Sequence, residues 1–223
     1  MLRQDHETYI RRCFDLARLG MYGVKTNPVV GSVIVHRGRV IGEGYHKAIG
    51  GPHAEVMAIN AVSGPHRHLL PQSTLYLSLE PCNHFGRTPP CSHLIFAERI
   101  PEVVICCSDP NPNVSGNGAD HLRAHGVKVT MGVLQEEGRH LIRRFLYRTR
   151  YQRPWVTLKW AQSADLLIGR KGEQVWLSNA ISKIMVHKLR AEHAGIIVGT
   201  DTVLTDNPKL NTRAYPGPSP VRI

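Results

Sequence analysis

Two short segments hold residue types that can do chemistry together: PHAEV at 52–56 and LEPCNHFGRTPPCSH at 79–93. His53, Cys82 and Cys91 supply one imidazole and two thiols, a donor set that suits zinc. Structural zinc usually takes four protein ligands, whereas catalytic zinc keeps one position for water. Three ligands therefore point to a catalytic centre, where bound water ionises near neutral pH. Such a centre needs a carboxylate that is not a ligand to move protons, and Glu55 has that chemistry. His53 and Glu55 would diverge by about 200° on a regular helix. They can share a pocket only at a helix mouth, and Pro52 places them there. Cys91 begins a helix after two prolines, and both a helix N-terminus and a nearby cation favour a thiolate. His84 is a conceivable fourth ligand, but it would close the water position and is not assigned to the metal.

The elements that must position these residues follow from pattern. Residues 6–19 read as an amphipathic helix and 31–46 as a hairpin turning at Arg37-Gly38. A short helix is expected over 53–62, a strand over 73–80, then a Pro/Gly-rich loop and a helix from 91 to 99. A strand at 103–109, a helix at 118–125, the strand VKVTMGV and a helix at 135–148 follow. Strand and helix alternate from 73 onward, which predicts an α/β sandwich with mostly parallel pairing. The pattern restarts after about residue 150, giving domains of 1–150 and 151–223. In the second, WVTLKWAQ reads as a strand, 180–193 as a helix with an Asn/Ser cap, and GIIVGTDTVL as a strand entering a loop. The last residues, Pro-Val-Arg-Ile, read as a strand just beginning, so the second domain is expected to be unfinished.

Composition narrows the class. The chain has 223 residues, and no apolar run approaches the roughly 18 residues of a membrane span. Its start is charged throughout and lacks an apolar signal region, so a cytoplasmic location is the default. The five cysteines are an odd number, which argues against a disulfide framework. Cys106 and Cys107 lie in the run VVICC and read as small buried strand residues. The formal charge is +11, divided as +6 over residues 1–150 and +5 over the remainder. Its densest patch, Arg139, Arg143, Arg144, Arg148 and Arg150, has largely helical spacing and reads as a solvated face. The charge admits nucleic acid, an anionic surface or a phosphorylated small molecule, and selects none of them.

The pair of motifs resembles the H-x-E…P-C-x-x-C signature of zinc deaminases, with eight residues rather than two between the cysteines. TNPVVG (26–31), GEGYH (42–46), PHAEV, LEPCNHFGRTPPC (79–91) and DPNP (109–112) together resemble the deaminase half of the bifunctional deaminase–reductase family of riboflavin biosynthesis. The long loop containing GRTPPC is characteristic of that family. LKWAQSAD (158–165), VWLSN (175–179), HKLRA (187–191) and VGTDTVLTDNPKLNTR (198–213) resemble the start of its reductase half. The resemblance implies a cytidine-deaminase-like three-layer α/β/α domain, followed by the beginning of a dihydrofolate-reductase-like α/β domain. It implies zinc-dependent removal of a ring amine from a diaminopyrimidinone bearing a phosphoribosylamino group. Asn27, His46, His84, Arg87, Asp109 and Asn111 would contact that substrate. In the second domain the resemblance implies NADPH, with Lys159, Trp176, Thr202 and Asp206 toward the cofactor and Arg190, Leu210 and Arg213 toward the sugar chain. Two departures stand out. Leu166 occupies a position where the family commonly has glycine, and the stretch from Lys159 to Trp176 is a residue short. About half of the reductase domain is expected to be missing, so reduction by this chain alone is not expected.

A base deaminase acting on tRNA or DNA is the competing reading. The even charge distribution and the 6% aromatic content argue against it, because stacking platforms are scarce. A degenerate protein whose second half serves dimerisation is a third. The resemblance favours a phosphorylated pyrimidine as partner, no nucleic acid, no membrane, and a homo-oligomer.

Overall fold

The computed structural model describes residues 3–85, 89–110, 117–170, 173 and 175–223. By contacts the chain divides into two units, Met1–Trp155 and Val156–Ile223.

The first unit is built on one sheet. It contains β1 (Gly31–His36), β2 (Arg39–Tyr45), β3 (Thr74–Leu79), β4 (Glu102–Cys107) and β5 (Lys128–Met131), in the order β2-β1-β3-β4-β5. β1 and β2 form an antiparallel hairpin through Arg37 and Gly38, both at positive φ as a tight two-residue turn requires. β1 is also antiparallel to β3, while β3–β4 and β4–β5 are parallel. The alternation of strands and helices after residue 73 thus produces the parallel part, and the hairpin supplies an antiparallel edge.

Helices cover both faces, so TLYLSL of β3 is buried at every position. α1 (Arg3–Leu19), α5 (Gln135–Leu141) and α6 (Arg143–Tyr151) pack on one face; Ile10, Phe14, Val33, Tyr76, Val104 and Ile142 form its core. α2 (Ala54–Ala61), α3 (Cys91–Ala97) and α4 (Asn117–Ala124) cover the other, around Ile34, Ile59, Leu77, Ile95, Ile105 and Leu122. This is the three-layer α/β/α arrangement. The helix expected over 135–148 is two helices, broken at Ile142, which is buried. A 3-10 segment at Gly64–Gln72, not foreseen in the pattern, links α2 to β3. Cys106 and Cys107 are buried, with their sulfurs 3.5 Å apart.

The second unit holds α7 (Ala180–Ala191), α8 (Thr200–Asp206) and the two-residue strands β6 (Gly195–Ile196) and β7 (Val221–Arg222), paired in parallel. Asn179 caps α7, its side chain accepting from the Ser182 N–H at 2.8 Å. WVTLKWAQ, expected as a strand, has no ladder partner and forms no regular element among the described residues. GIIVGTDTVL, also expected as a strand, keeps two strand residues and then turns into α8.

Candidate metal centre

Three separate elements converge on one point at the C-terminal end of the sheet. β3 ends at Leu79, and Glu80-Pro81 carries the chain to Cys82. Cys91 is the first residue of α3, behind the cap residue Pro90. His53 is the cap residue of α2, in extended conformation at φ −72° and ψ 164°, and Glu55 lies in the first turn. α2 can approach this closely because β2 offers Gly44: a Cβ there would lie 2.3 Å from the Ala58 backbone nitrogen. The helix therefore lies backbone-to-backbone on the hairpin, which sets where its mouth falls.

The His53 Nδ1 atom is 3.6 Å from the Cys82 sulfur and 3.3 Å from that of Cys91, and all three donor atoms lie within 4.8 Å of one another. A tetrahedral zinc with bonds of about 2.3 Å to sulfur and about 2.0 Å to nitrogen would place such donors roughly 3.5 to 3.8 Å apart. The donor set and its spacing both fit that ion. The Cys91 N–H also donates to the Cys82 sulfur at 3.4 Å, Ser92 N–H donates to the Cys82 carbonyl, and the Ser92 hydroxyl donates to Asn83. These bonds close the Cys82–Cys91 loop on itself.

The electrostatics favour a thiolate and a mobile proton. The Cys91 thiol donates toward Cys82, which with His53 pulls the Cys82 thiol down to about 4 against the opposing effect of burial. Cys91, holding that shared proton and buried, is pushed up. His53 is raised by its hydrogen bond to Cys82. Glu55 is buried at 4% exposure, and desolvation pushes its carboxyl up to about 7.

Around this centre, His46 is buried and its ring meets that of His53 edge-on, centroids 5.6 Å apart. Its Nδ1 faces the Pro52 carbonyl at 3.0 Å, and its Nε2 faces the Asn27 amide nitrogen at 3.2 Å. The carbonyl can only accept, so Nδ1 carries the proton and Nε2 accepts from Asn27. Asn27 and His46 are thus brought to the metal-spaced trio. His84 is exposed in the loop between the cysteines and is not among the three converging donors. Asp109 follows β4 beside the Cys82 segment, and lines a cavity of about 290 Å³ with Cys107, Ser108, Gln135 and Arg139. Arg87 and Asn111 lie outside the described residues. Glu80, to which sequence reasoning gave no role, is buried with its carboxylate on backbone N–H groups.

In the second unit Arg190 donates to the Asn211 carbonyl at 3.0 Å and Arg213 to the Asn211 side chain at 2.9 Å, with Leu210 buried between them in sequence. The Arg213 N–H also donates to His187. Arg190 and Arg213 thus share Asn211 as a partner, and Leu210 precedes it in the chain. Lys159, Trp176, Thr202 and Asp206 are all exposed; Thr202 and Asp206 share α8, while Trp176 lies beneath the Lys183 ammonium. Leu166 takes φ +66°, the conformation for which a glycine would be free.

The family pattern "Cytidine and deoxycytidylate deaminase zinc-binding region" matches residues 3–107, and "RibD C-terminal domain" matches 154–223. Riboflavin biosynthesis protein RibD of Aquifex aeolicus is 41% identical over all of this chain and 62% of its own length. That of Actinobacillus pleuropneumoniae is 44% identical over 96% of this chain and 56% of its own. The crystal structure of a diaminohydroxyphosphoribosylaminopyrimidine deaminase/5-amino-6-(5-phosphoribosylamino)uracil reductase from Thermotoga maritima superposes with a TM-score of 0.91 at 41% identity, covering 99% of this chain and 62% of that one. The chain spans about three fifths of the length of these relatives.

Proposed function

We propose that this chain, which belongs to the RibD family, is a zinc-dependent deaminase of riboflavin biosynthesis. Its substrate on this reading is 2,5-diamino-6-(5-phosphoribosylamino)pyrimidin-4(3H)-one, the class of compound in the name of the Thermotoga maritima relative. The observation that carries the reading is the trio His53, Cys82 and Cys91 at zinc spacing with the buried Glu55 beside it.

His53 Nδ1 and the two cysteine sulfurs would hold the zinc. When bound, zinc supplies Lewis acidity that makes water a nucleophile near neutral pH. Glu55 takes a proton as water adds to the amine-bearing ring carbon, and returns it to the departing nitrogen. The ring carbon gains a carbonyl oxygen and ammonia leaves. Asn27, with its amide nitrogen engaged by His46, turns its carbonyl oxygen toward a donor on the substrate. Asp109, and by family pattern His84, Arg87 and Asn111, complete the ring and phosphoribosyl contacts; an arginine fork suits the phosphate. The helix mouths of α2 and α3 add favourable dipoles to a site that binds anions.

The second unit on this reading is the beginning of an NADPH-dependent reductase domain, in which Lys159, Trp176, Thr202 and Asp206 face the cofactor and Arg190, Leu210 and Arg213 the sugar chain. The test is ammonia release from the pyrimidine by the zinc-loaded chain, with NADPH oxidation followed in parallel. Ammonia release that chelation abolishes, without NADPH oxidation, supports the reading; no ammonia from the zinc-loaded chain refutes it.

A further inference from the structure

The loops that carry Cys82 and Asp109 leave from neighbouring parallel strands. β3 leads to Cys82 and β4 leads to Asp109, with Leu79 paired to Cys107 at their ends. Glu80 stands between them. Its own N–H continues the ladder by donating to the Cys107 carbonyl at 2.9 Å. Its side chain is 4% exposed. One carboxylate oxygen accepts the Asp109 N–H and the other accepts the Ala119 N–H, each at 3.2 Å. Ala119 is in the first turn of α4, where a backbone N–H has no partner within the helix. The next residue, Pro81, presses against the same turn: a Cβ on Gly118 would lie 1.9 Å from the Pro81 carbonyl oxygen. Three segments meet here at backbone distance, the metal-bearing loop, the Asp109 loop and the start of α4.

We propose that Glu80 is a positioning residue that fixes the Asp109 loop against the Cys82 segment, and so sets the distance between the metal and the part of the site that grips the substrate. It touches no reacting atom. Both of these backbone groups are donors, so the side chain accepts on both oxygens. A carboxylate does this and an amide of the same shape does not. The Cys82–Cys91 loop has its own closing bonds through Ser92 and Asn83, which leaves the metal donors independent of Glu80.

This role rests on the deaminase reading and is tested with Glu80→Gln in the zinc-loaded chain. Zinc content is expected to stay at the wild-type level and kcat to change little. KM for the pyrimidine is expected to rise about tenfold, the scale of one lost hydrogen bond to a carboxylate. Amide exchange at Asp109 and Ala119, slow in the wild type, is expected to accelerate in the variant while Ile105 and Leu77 stay protected. A KM equal to wild type, or a loss of zinc with KM unchanged, overturns the role. If the variant does not fold, exchange in the wild type decides, and fast exchange at Asp109 and Ala119 is contrary to the tie. Should the wild type release no ammonia, the deaminase reading fails by itself, and the exchange comparison still judges Glu80.

Discussion

Leu166 holds φ at +66° with its side chain 71% exposed. A leucine in that region of backbone space costs roughly 1–2 kcal/mol, whereas glycine enters it freely. The turn is set by its own bonds, since the Leu166 N–H donates to the Ser163 carbonyl and the Ser163 hydroxyl donates to the Leu167 carbonyl. Leu166→Gly should therefore raise the unfolding free energy of the second unit by about 1 kcal/mol despite the more flexible unfolded chain, readable as a higher midpoint in urea. A lower midpoint would mean that the leucine side chain contributes packing. The same scale shows what residue identity reveals. His53, Cys82 and Cys91 could be read together from sequence because one imidazole and two thiols, with PHAE upstream of Pro81-Cys82, match the donor set and signature of a zinc deaminase. Glu80 could not, because backbone N–H groups such as those of Asp109 and Ala119 leave no mark in a sequence pattern. The adjacent Pro81-Cys82 was the available signal that this glutamate stands at a junction.

At the scale of elements, the open edge of the sheet is tied by one side chain. Glu102 in β4 accepts from Thr74 of β3 at 2.8 Å and pairs with Lys128 of β5 at 2.7 Å. Partial burial opposes its ionised form, but those bonds outweigh it and hold the carboxyl below its ordinary value. A depressed folded-state value means stability that is present above the unfolded-state pKa of about 4.3 and is lost as pH falls through the folded one. Glu102→Gln should thus cost less than about 1 kcal/mol near neutrality, because Lys128 is exposed. The difference from wild type should shrink in titrations carried below about pH 4. A difference that grows on acidification would contradict the ion-pair account. Elements in this half were legible because each has its own local signal: an apolar run in β1, apolar spacing in α2, turn residues at Arg37-Gly38. WVTLKWAQ misled for the opposite reason. Its alternation suits a strand, but a strand exists only with a neighbour, and among the described residues none pairs with it. TDTVLTD carries β-branched residues yet forms α8, closed by the bond from the Asn207 N–H to the Val203 carbonyl.

For the whole molecule, the charge of +11 is the property that composition states most loudly and function uses least specifically. Its densest arginine cluster is on α5 and α6, where Arg143 and Arg150 lie over the Trp155 and Tyr151 rings. None of the described helices is long and apolar enough to cross a membrane. If the partner is a phosphorylated pyrimidine, binding of a generic RNA should be weak and should fall steeply with salt, as non-specific phosphate contacts do. Deamination of the pyrimidine at moderate salt should persist. RNA that is itself deaminated, with no turnover of the pyrimidine, would favour the base-editing alternative. The second unit was the harder half to read. Its large apolar side chains Leu158, Trp160, Ile168, Trp176, Ile197 and Leu204 are all more than half exposed, so pattern there lacks the burial that gives pattern its meaning.

On the proposed function, His53, Cys82 and Cys91 hold zinc while Glu55 moves the protons. The most direct measurement is the zinc content and the ammonia release of Glu55→Gln, side by side with wild type. Zinc should stay bound at the wild-type ratio, because Glu55 is not a ligand, while turnover of the pyrimidine should fall at least about a hundredfold. Unchanged turnover, or a loss of zinc from the variant, would contradict the assignment.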